Sequence, residues 1–202
     1  MEILTFFGKK ILQIAPDDDF ITTKIDLKYI PPPNAIFTTK SDRNLKFLVD
    51  AWHQIKKTSY KSKLFINPPF LLSEDNKKDD INLRKKADKK LLIQDLINSK
   101  VFLTPGHKTE VFCLAAEEAR ELCIPIVTLG IGSLSERVIN YKTGFIASNN
   151  KDFAELTIEL FTNDSLWKRT MANHSRKLAQ NHVAAPLRRE GIESDCGPSG
   201  QE

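Results

Sequence analysis

Residues 100–147 read KVFLTPGHKTEVFCLAAEEARELCIPIVTLGIGSLSERVINYKTGFIA, and the punctuation of this stretch decides the fold. KVFLT (Lys100–Thr104) is a short apolar run stopped by Pro105 and Gly106, as a buried strand would be. Phe112, Ala115, Ala116, Ala119, Leu122 and Cys123 then recur at helical spacing. IPIVTL (Ile124–Leu129) is a second, almost wholly apolar run, the signature of a strand covered on both faces. Gly130 and Gly132 make the turn after it, a short helix is expected over Ser133–Ile139, and a strand over Thr143–Ala147. Strand, helix, strand, helix, strand is the order of βαβ units in a parallel sheet.

The alternation extends both ways. Upstream, AIFTT (Ala35–Thr39) reads as a strand, and Leu45, Leu48, Val49, Trp52 and Ile55 form the apolar face of a helix ending near Lys57. KLFIN (Lys63–Asn67) is the next strand, closed by Pro68 and Pro69, followed by a short strand at Ile81–Arg84 and a helix at Leu91–Asn98. Downstream, helices are expected at Asp152–Phe161 and Asp164–Leu178. Leu12–Ile14 is a further strand candidate, set apart by the acidic Asp17–Asp19 and the run Pro31, Pro32, Pro33. The expected organisation is therefore 1–33 as N-terminal remnant and linker, 34–181 as a Rossmann-like α/β domain, and 182–202 as a disordered tail carrying Pro186, Gly191, Gly197, Pro198 and Gly200.

Composition narrows the class. With 202 residues, 41% hydrophobic and 28% charged, the chain has the means for one globular domain and a small appendage. No run approaches the roughly 18 to 20 apolar residues of a membrane span, and the first residues lack the order of a signal peptide. Cys113, Cys123 and Cys196 are odd in number and without CxxC spacing, so neither a disulfide framework nor a zinc site is expected. A cytoplasmic protein is the expectation, with peripheral membrane association left open. The balance of 30 basic to 26 acidic residues permits an anionic ligand without requiring nucleic acid. Seven basic residues fall between Lys77 and Lys90, but no aromatic residue interleaves with them, and a solvated loop suits them better than a nucleic-acid surface.

In an open α/β sheet, ligands bind beyond the carboxyl ends of the strands, so the informative residues follow each strand. After KVFLT, a tight turn at Gly106 leads toward a helix expected to begin near Val111 or Phe112, whose free amides favour an anion such as a diphosphate. Glu110 at its mouth either meets a ligand or caps those amides. Glu118 lies at the border of the buried stripe, whereas Glu117 neighbours Arg120 and Glu121 and is expected to face solvent. A carboxylate at Glu118 suits a vicinal diol such as a ribose. After IPIVTL, the glycines of LGIGSLSER allow close backbone approach, with Glu136 following, but the spacing is not a dinucleotide fingerprint. After AIFTT, Lys40 and Arg43 either reach a phosphate or serve as ordinary surface cations.

Read in order, these elements resemble the C-terminal, donor-binding domain of glycosyltransferase family 4 enzymes of the GT-B fold. The resemblance rests on Glu110 and Glu118 as an E-x7-E element within EVFCLAAEEARELCIPIVTLGIGSLSERVINYKTGFIA, on the Glu-Ala helix, the Pro-Ile-Val strand, the Gly-rich loop followed by a Glu, and the Thr-Gly-Phe strand. It spans about Ala35 to Leu178, more weakly at Asn34–Trp52. It implies a bound sugar nucleotide, with Glu110 as the catalytic-site carboxylate bonding donor-sugar hydroxyls. Phe112, Cys113 and Leu114 would present backbone amides, Glu118 would hold the ribose, and Gly106 and His107 would line the phosphate approach. Arg43 stands where the family usually has a phosphate-binding Lys, Lys40 approximately where it has an Arg, and Cys113 where it has a Gly.

The implied chemistry is hexosyl transfer to an acceptor hydroxyl, on a glycan or lipid-linked acceptor, with retention and without metal or other cofactor. GT-B enzymes close two domains around the reaction, and an acceptor domain needs roughly 150 or more residues by ordinary domain size. The resemblance thus implies an acceptor half absent from this chain, supplied by a separate N-terminal-domain chain, with FFGKKILQIAPDDDFITTKIDL similar to the end of such a domain and its crossover. The alternative is a non-catalytic nucleotide-sugar-binding domain or truncated remnant. A third class, an α/β interaction module without a sugar ligand, would be favoured by polyanion binding at Lys77–Lys90.

Overall fold

The computed structural model describes residues 16–66, 74–84 and 88–183. Six parallel strands form a single sheet: β1 (Asn34–Phe37), β2 (Lys63–Ile66), β3 (Ile81–Leu83), β4 (Val101–Leu103), β5 (Ile126–Thr128) and β6 (Gly144–Ile146). Their spatial order is β3-β2-β1-β4-β5-β6, the doubly wound order of Rossmann sheets. The helices are α1 (Asp18–Thr22), α2 (Leu45–Thr58), α3 (Glu74–Lys78), α4 (Lys89–Ile97), α5 (Leu114–Glu121), α6 (Leu134–Arg137), α7 (Asn150–Thr162) and α8 (Asp164–Val183). The strand candidate at Leu12–Ile14, and the tail expected from His182 once α8 ends, lie outside the described residues.

Alternation along each strand divides the core into two layers. Ala35, Phe37, Val101, Leu103, Val127 and Phe145 point to one face, where Trp52, Phe153, Phe161 and Trp167 of α2, α7 and α8 cover them. Ile36, Phe102 and Ile126 point to the other, beneath Ile93, Leu96, Ala116 and Ala119 of α4 and α5. Every residue of β4 and β5 is buried, as the unbroken apolar runs predict. The stretch read as a linker also packs here: α1 lies against α4 and α5, and Phe20 is 1% exposed in the second layer. Asp17 caps α1 by accepting from Asp19 N, and its carboxylate pairs with Lys89 at the start of α4.

The last helix is anchored by a buried polar set. Trp167 Nε1 donates to the Lys100 carbonyl at 2.7 Å, and Lys100 Nζ reaches the Phe161 carbonyl at 2.8 Å and Asp164 Oδ1 at 2.6 Å. Lys100 is thereby neutralised at the foot of β4, which is what allows a lysine to be 3% exposed.

Candidate functional site

The sheet order reverses between β1 and β4, the place where doubly wound sheets bind ligands, and the loops leaving the carboxyl ends of these two strands meet there. They supply Lys40 and Arg43 from one side and Gly106, His107 and Glu110 from the other. Arg43 is the hub. Its Nε lies 3.2 Å from Glu110 Oε2, and its Nη1 lies 3.3 Å from His107 Nδ1 and bonds Thr109 Oγ1. His107 Nδ1 is in turn 2.9 Å from Thr109 Oγ1. Asn44, at left-handed φ 59° before α2, donates its side-chain amide to the Gly106 carbonyl and ties the loops together.

The Glu110 carboxylate has two partners, Arg43 on one oxygen and, at 3.2 Å on Oε1, the backbone N–H of Cys113. The capping role that local chemistry allowed is therefore realised, and the ion pair with Arg43 is added to it. The helix begins later than the expected Val111 or Phe112. Cys113 adopts φ 53°, ψ 70°, a left-handed conformation that ends the loop and lets α5 start at Leu114. Its thiol is buried, and that burial pushes its pKa up to about 11. Leu114 opens the helix with its side chain partly in solvent, and Ala116 N–H makes the first turn's bond to the Cys113 carbonyl at 3.0 Å, ahead of which stand the amides of Leu114 and Ala115.

Two glycines shape the floor. A Cβ on Gly106, at φ +91°, would stand 2.7 Å from both the Ile131 carbonyl oxygen and Leu134 Cδ1. One on Gly132 would stand 2.5 Å from the His107 carbonyl oxygen, so the Gly-rich loop after β5 presses directly under the loop after β4. Ser133 N donates to the Glu110 carbonyl at 3.0 Å across the same contact.

Not every expected residue joins the cluster. Lys40 closes a turn by accepting from Arg43 N at 3.0 Å, and its side chain is exposed. Glu118 lies one turn beyond the mouth of α5, and its charged neighbours are Lys89 and Asp17. Desolvation holds its carboxyl above the ordinary 4.5, against the opposing pull of Lys89. Phe112 packs its ring under the Arg137 guanidinium, 4.0 Å from the ring centroid.

The largest departure concerns Glu117, expected at the surface. It is 2% exposed and pairs with Arg120 on its own helix and with Arg137 Nη1 of α6 at 3.1 Å. Helical spacing to Arg120 and Glu121 is the same whether such a set faces water or a neighbouring element. The partner that buries it comes from across the Gly-rich loop, where one-helix periodicity has no reach. Thr109 and Asn44 were also unmarked by the motif, although an Asn directly before an apolar helical stripe is a helix-start signal. Among the described residues, no group of three or more His, Cys, Asp or Glu is arranged to hold a metal ion. None of the described helices is long and apolar enough to cross a membrane.

Comparison with known proteins points one way. The family model described as glycosyl transferases group 1 matches residues 38–181. The capsular polysaccharide biosynthesis glycosyltransferase CapM of Staphylococcus aureus is 31% identical over 99 residues, 48% of this chain and 26% of that protein. Among solved structures, the C-terminal domain of the group 1 family protein LpcC from Francisella tularensis superimposes with a TM-score of 0.62 at 15% identity, covering 83% of this chain and 95% of that one. The pneumococcal O-GlcNAc transferase GtfA, solved with UDP and GlcNAc, gives a TM-score of 0.60 at 18% identity over 76% of this chain and 33% of its own. The sheet and its helical layers are thus those of GT-B glycosyltransferases, and the chain spans about a quarter of the curated relative it matches.

Proposed function

Because this chain belongs to the glycosyl transferases group 1 family, we propose that it is the donor-binding half of a retaining family 4 glycosyltransferase and takes a sugar nucleotide at the carboxyl ends of β1 and β4. The observation that carries this reading is the convergence of Arg43, His107, Thr109 and Glu110 beside the free amides of α5, at the point where the strand order reverses. A guanidinium and unpaired helix amides are what a diphosphate needs, and they stabilise the charge that develops as the nucleoside diphosphate departs. Glu110 then bonds donor-sugar hydroxyls, Glu118 the ribose hydroxyls, and Phe112, Cys113 and Leu114 supply amides to the sugar and diphosphate. Gly106 permits the close approach of backbone and phosphate, and Lys40 closes over the phosphate side.

The acceptor, a glycan or lipid-linked hydroxyl, requires a second surface. This chain spans 33% of the GtfA chain it resembles. Transfer is assigned to this domain acting together with an acceptor-binding surface, at the cytoplasmic side of a membrane or in the cytoplasm. A second reading is binding of the nucleotide sugar without catalysis; it is supported by the gathering of the proposed donor-contacting residues Arg43, His107 and Glu110 within this one domain.

Calorimetric titration with a panel of nucleoside diphosphates and their sugars tests both. Binding that Glu118→Ala abolishes supports the donor site, and turnover of the sugar nucleotide, by the chain alone or with an added acceptor domain, separates transferase from binder. Absence of donor binding in the wild type and in a completed two-domain protein would sink both.

A further inference from the structure

We infer that Arg137 is a positioning residue for the arc Glu110–Leu114, holding the loop and the start of α5 in the shape a donor would meet. The inference rests on the donor-site reading for what the arc does, but the holding itself is independent of it.

The arc needs an external hold. Val111 is 88% exposed and contributes no anchor, and Cys113 occupies a left-handed conformation that non-glycine residues adopt at a cost. Phe112 lies between them, and the face of its ring is covered by Arg137 from α6. The same guanidinium reaches Glu117 Oε1 at 3.1 Å, one turn further along α5. Arg137 therefore grips the arc on one side of Cys113 and the helix on the other.

Charge balance alone does not explain this arrangement. Arg120, three residues on from Glu117, already pairs with the buried carboxylate from within α5, although it also stands 3.8 Å from Glu121, so Arg137 contributes charge as well as contact. The second arginine adds a tie between elements, from α6 to α5, and a planar guanidinium is suited to lying on an aromatic face while its edge meets a carboxylate. A lysine keeps the charge and loses one of the two grips.

The test uses the full chain with Arg137→Met and Arg137→Lys, and follows alkylation of Cys113 and Cys123 by N-ethylmaleimide through peptide mass spectrometry. Both thiols are buried and raised to about 11, but Cys123 sits beyond the far end of α5, out of reach of the grip, and serves as the internal reference. Local opening of the arc raises Cys113 labelling in Arg137→Met by about tenfold with Cys123 unchanged, and Arg137→Lys falls between. Uridine diphosphate, titrated in parallel, binds about tenfold more weakly to Arg137→Met and is partly rescued in Arg137→Lys. An unchanged Cys113 rate, or equal acceleration of both cysteines, overturns the inference. Should Arg137→Met fail to fold, the labelling ratio in Arg137→Lys decides. If the wild type binds no uridine diphosphate, the donor proposal falls while the labelling ratio still decides this one.

Discussion

Cys113 is a non-glycine residue at φ 53°, buried in the second layer of the core, and two opposing terms meet in its side chain. The left-handed backbone costs a residue with a Cβ roughly 1 to 2 kcal/mol, and burial of its small side chain returns about 1 kcal/mol. Cys113→Gly should accordingly leave thermal stability almost unchanged. Cys113→Val, whose branched Cβ fits that backbone worst, should lose on the order of 2 kcal/mol or more in denaturant titration. Glu118 gives a prediction with a defined sign. Its folded pKa is raised above 4.5 by burial, so the folded state binds the proton more tightly than the unfolded one. Stability therefore falls as pH rises from about 4.5 through the raised value. Glu118→Gln should melt higher than the wild type at pH 7, and the difference should vanish below about pH 4; equal melting at pH 7 would contradict it. At this scale the sequence showed which residue types gather after the strands. It did not show the pairing of Glu117 with Arg137, because that contact joins residues from different elements across a glycine turn.

Elements were more legible than contacts. The apolar runs at Ala35, Val101 and Ile126 became strands because their residues can be buried on both faces, Lys63–Ile66 joined them with one face buried through Leu64 and Ile66, and the stripes at Leu45 and Phe153 became helices because each has one face to bury. Boundaries moved where capping decided them. Asn149 caps α7 from Asp152 N at 3.0 Å, so the helix starts at Asn150, ahead of the first expected residue. The docking of α8 depends on Trp167, 3% exposed, whose ring fills the first layer and whose Nε1 bonds the Lys100 carbonyl. Trp167→Ala should cost roughly 3 to 5 kcal/mol by chemical denaturation, and Trp167→Phe, which keeps most of the volume but orphans that carbonyl, about 1 to 3 kcal/mol.

At the scale of the molecule, the parallel sheet was expected from the alternation of elements, but the strand order β3-β2-β1-β4-β5-β6 was not, since periodicity says nothing about which strands lie side by side. The order matters because it sets the loops after β1 and β4 side by side at the point of reversal, where Arg43 and Asn44 reach Glu110 and Gly106. A ligand seated there binds the folded chain and not the unfolded one. A nucleoside diphosphate at about 100 times its dissociation constant should add about 2.7 kcal/mol, raising the melting temperature by roughly 5 to 10 °C for a domain of this size. Differential scanning fluorimetry with and without the nucleotide measures it, and no shift at saturating concentration would argue against the point of reversal as the site.

The burial of Phe20 on the inner face of α1 has a practical consequence for anyone exchanging this domain between members of the family. A splice made at the proline run, where the chain looks like a natural joint, would discard Phe20 and the Asp17 partner of Lys89, leaving an apolar seat between α4 and α5 open to water. Chimeras cut upstream of Pro16 should remain soluble and monodisperse, while those cut at Pro33 should expose a sticky patch and aggregate.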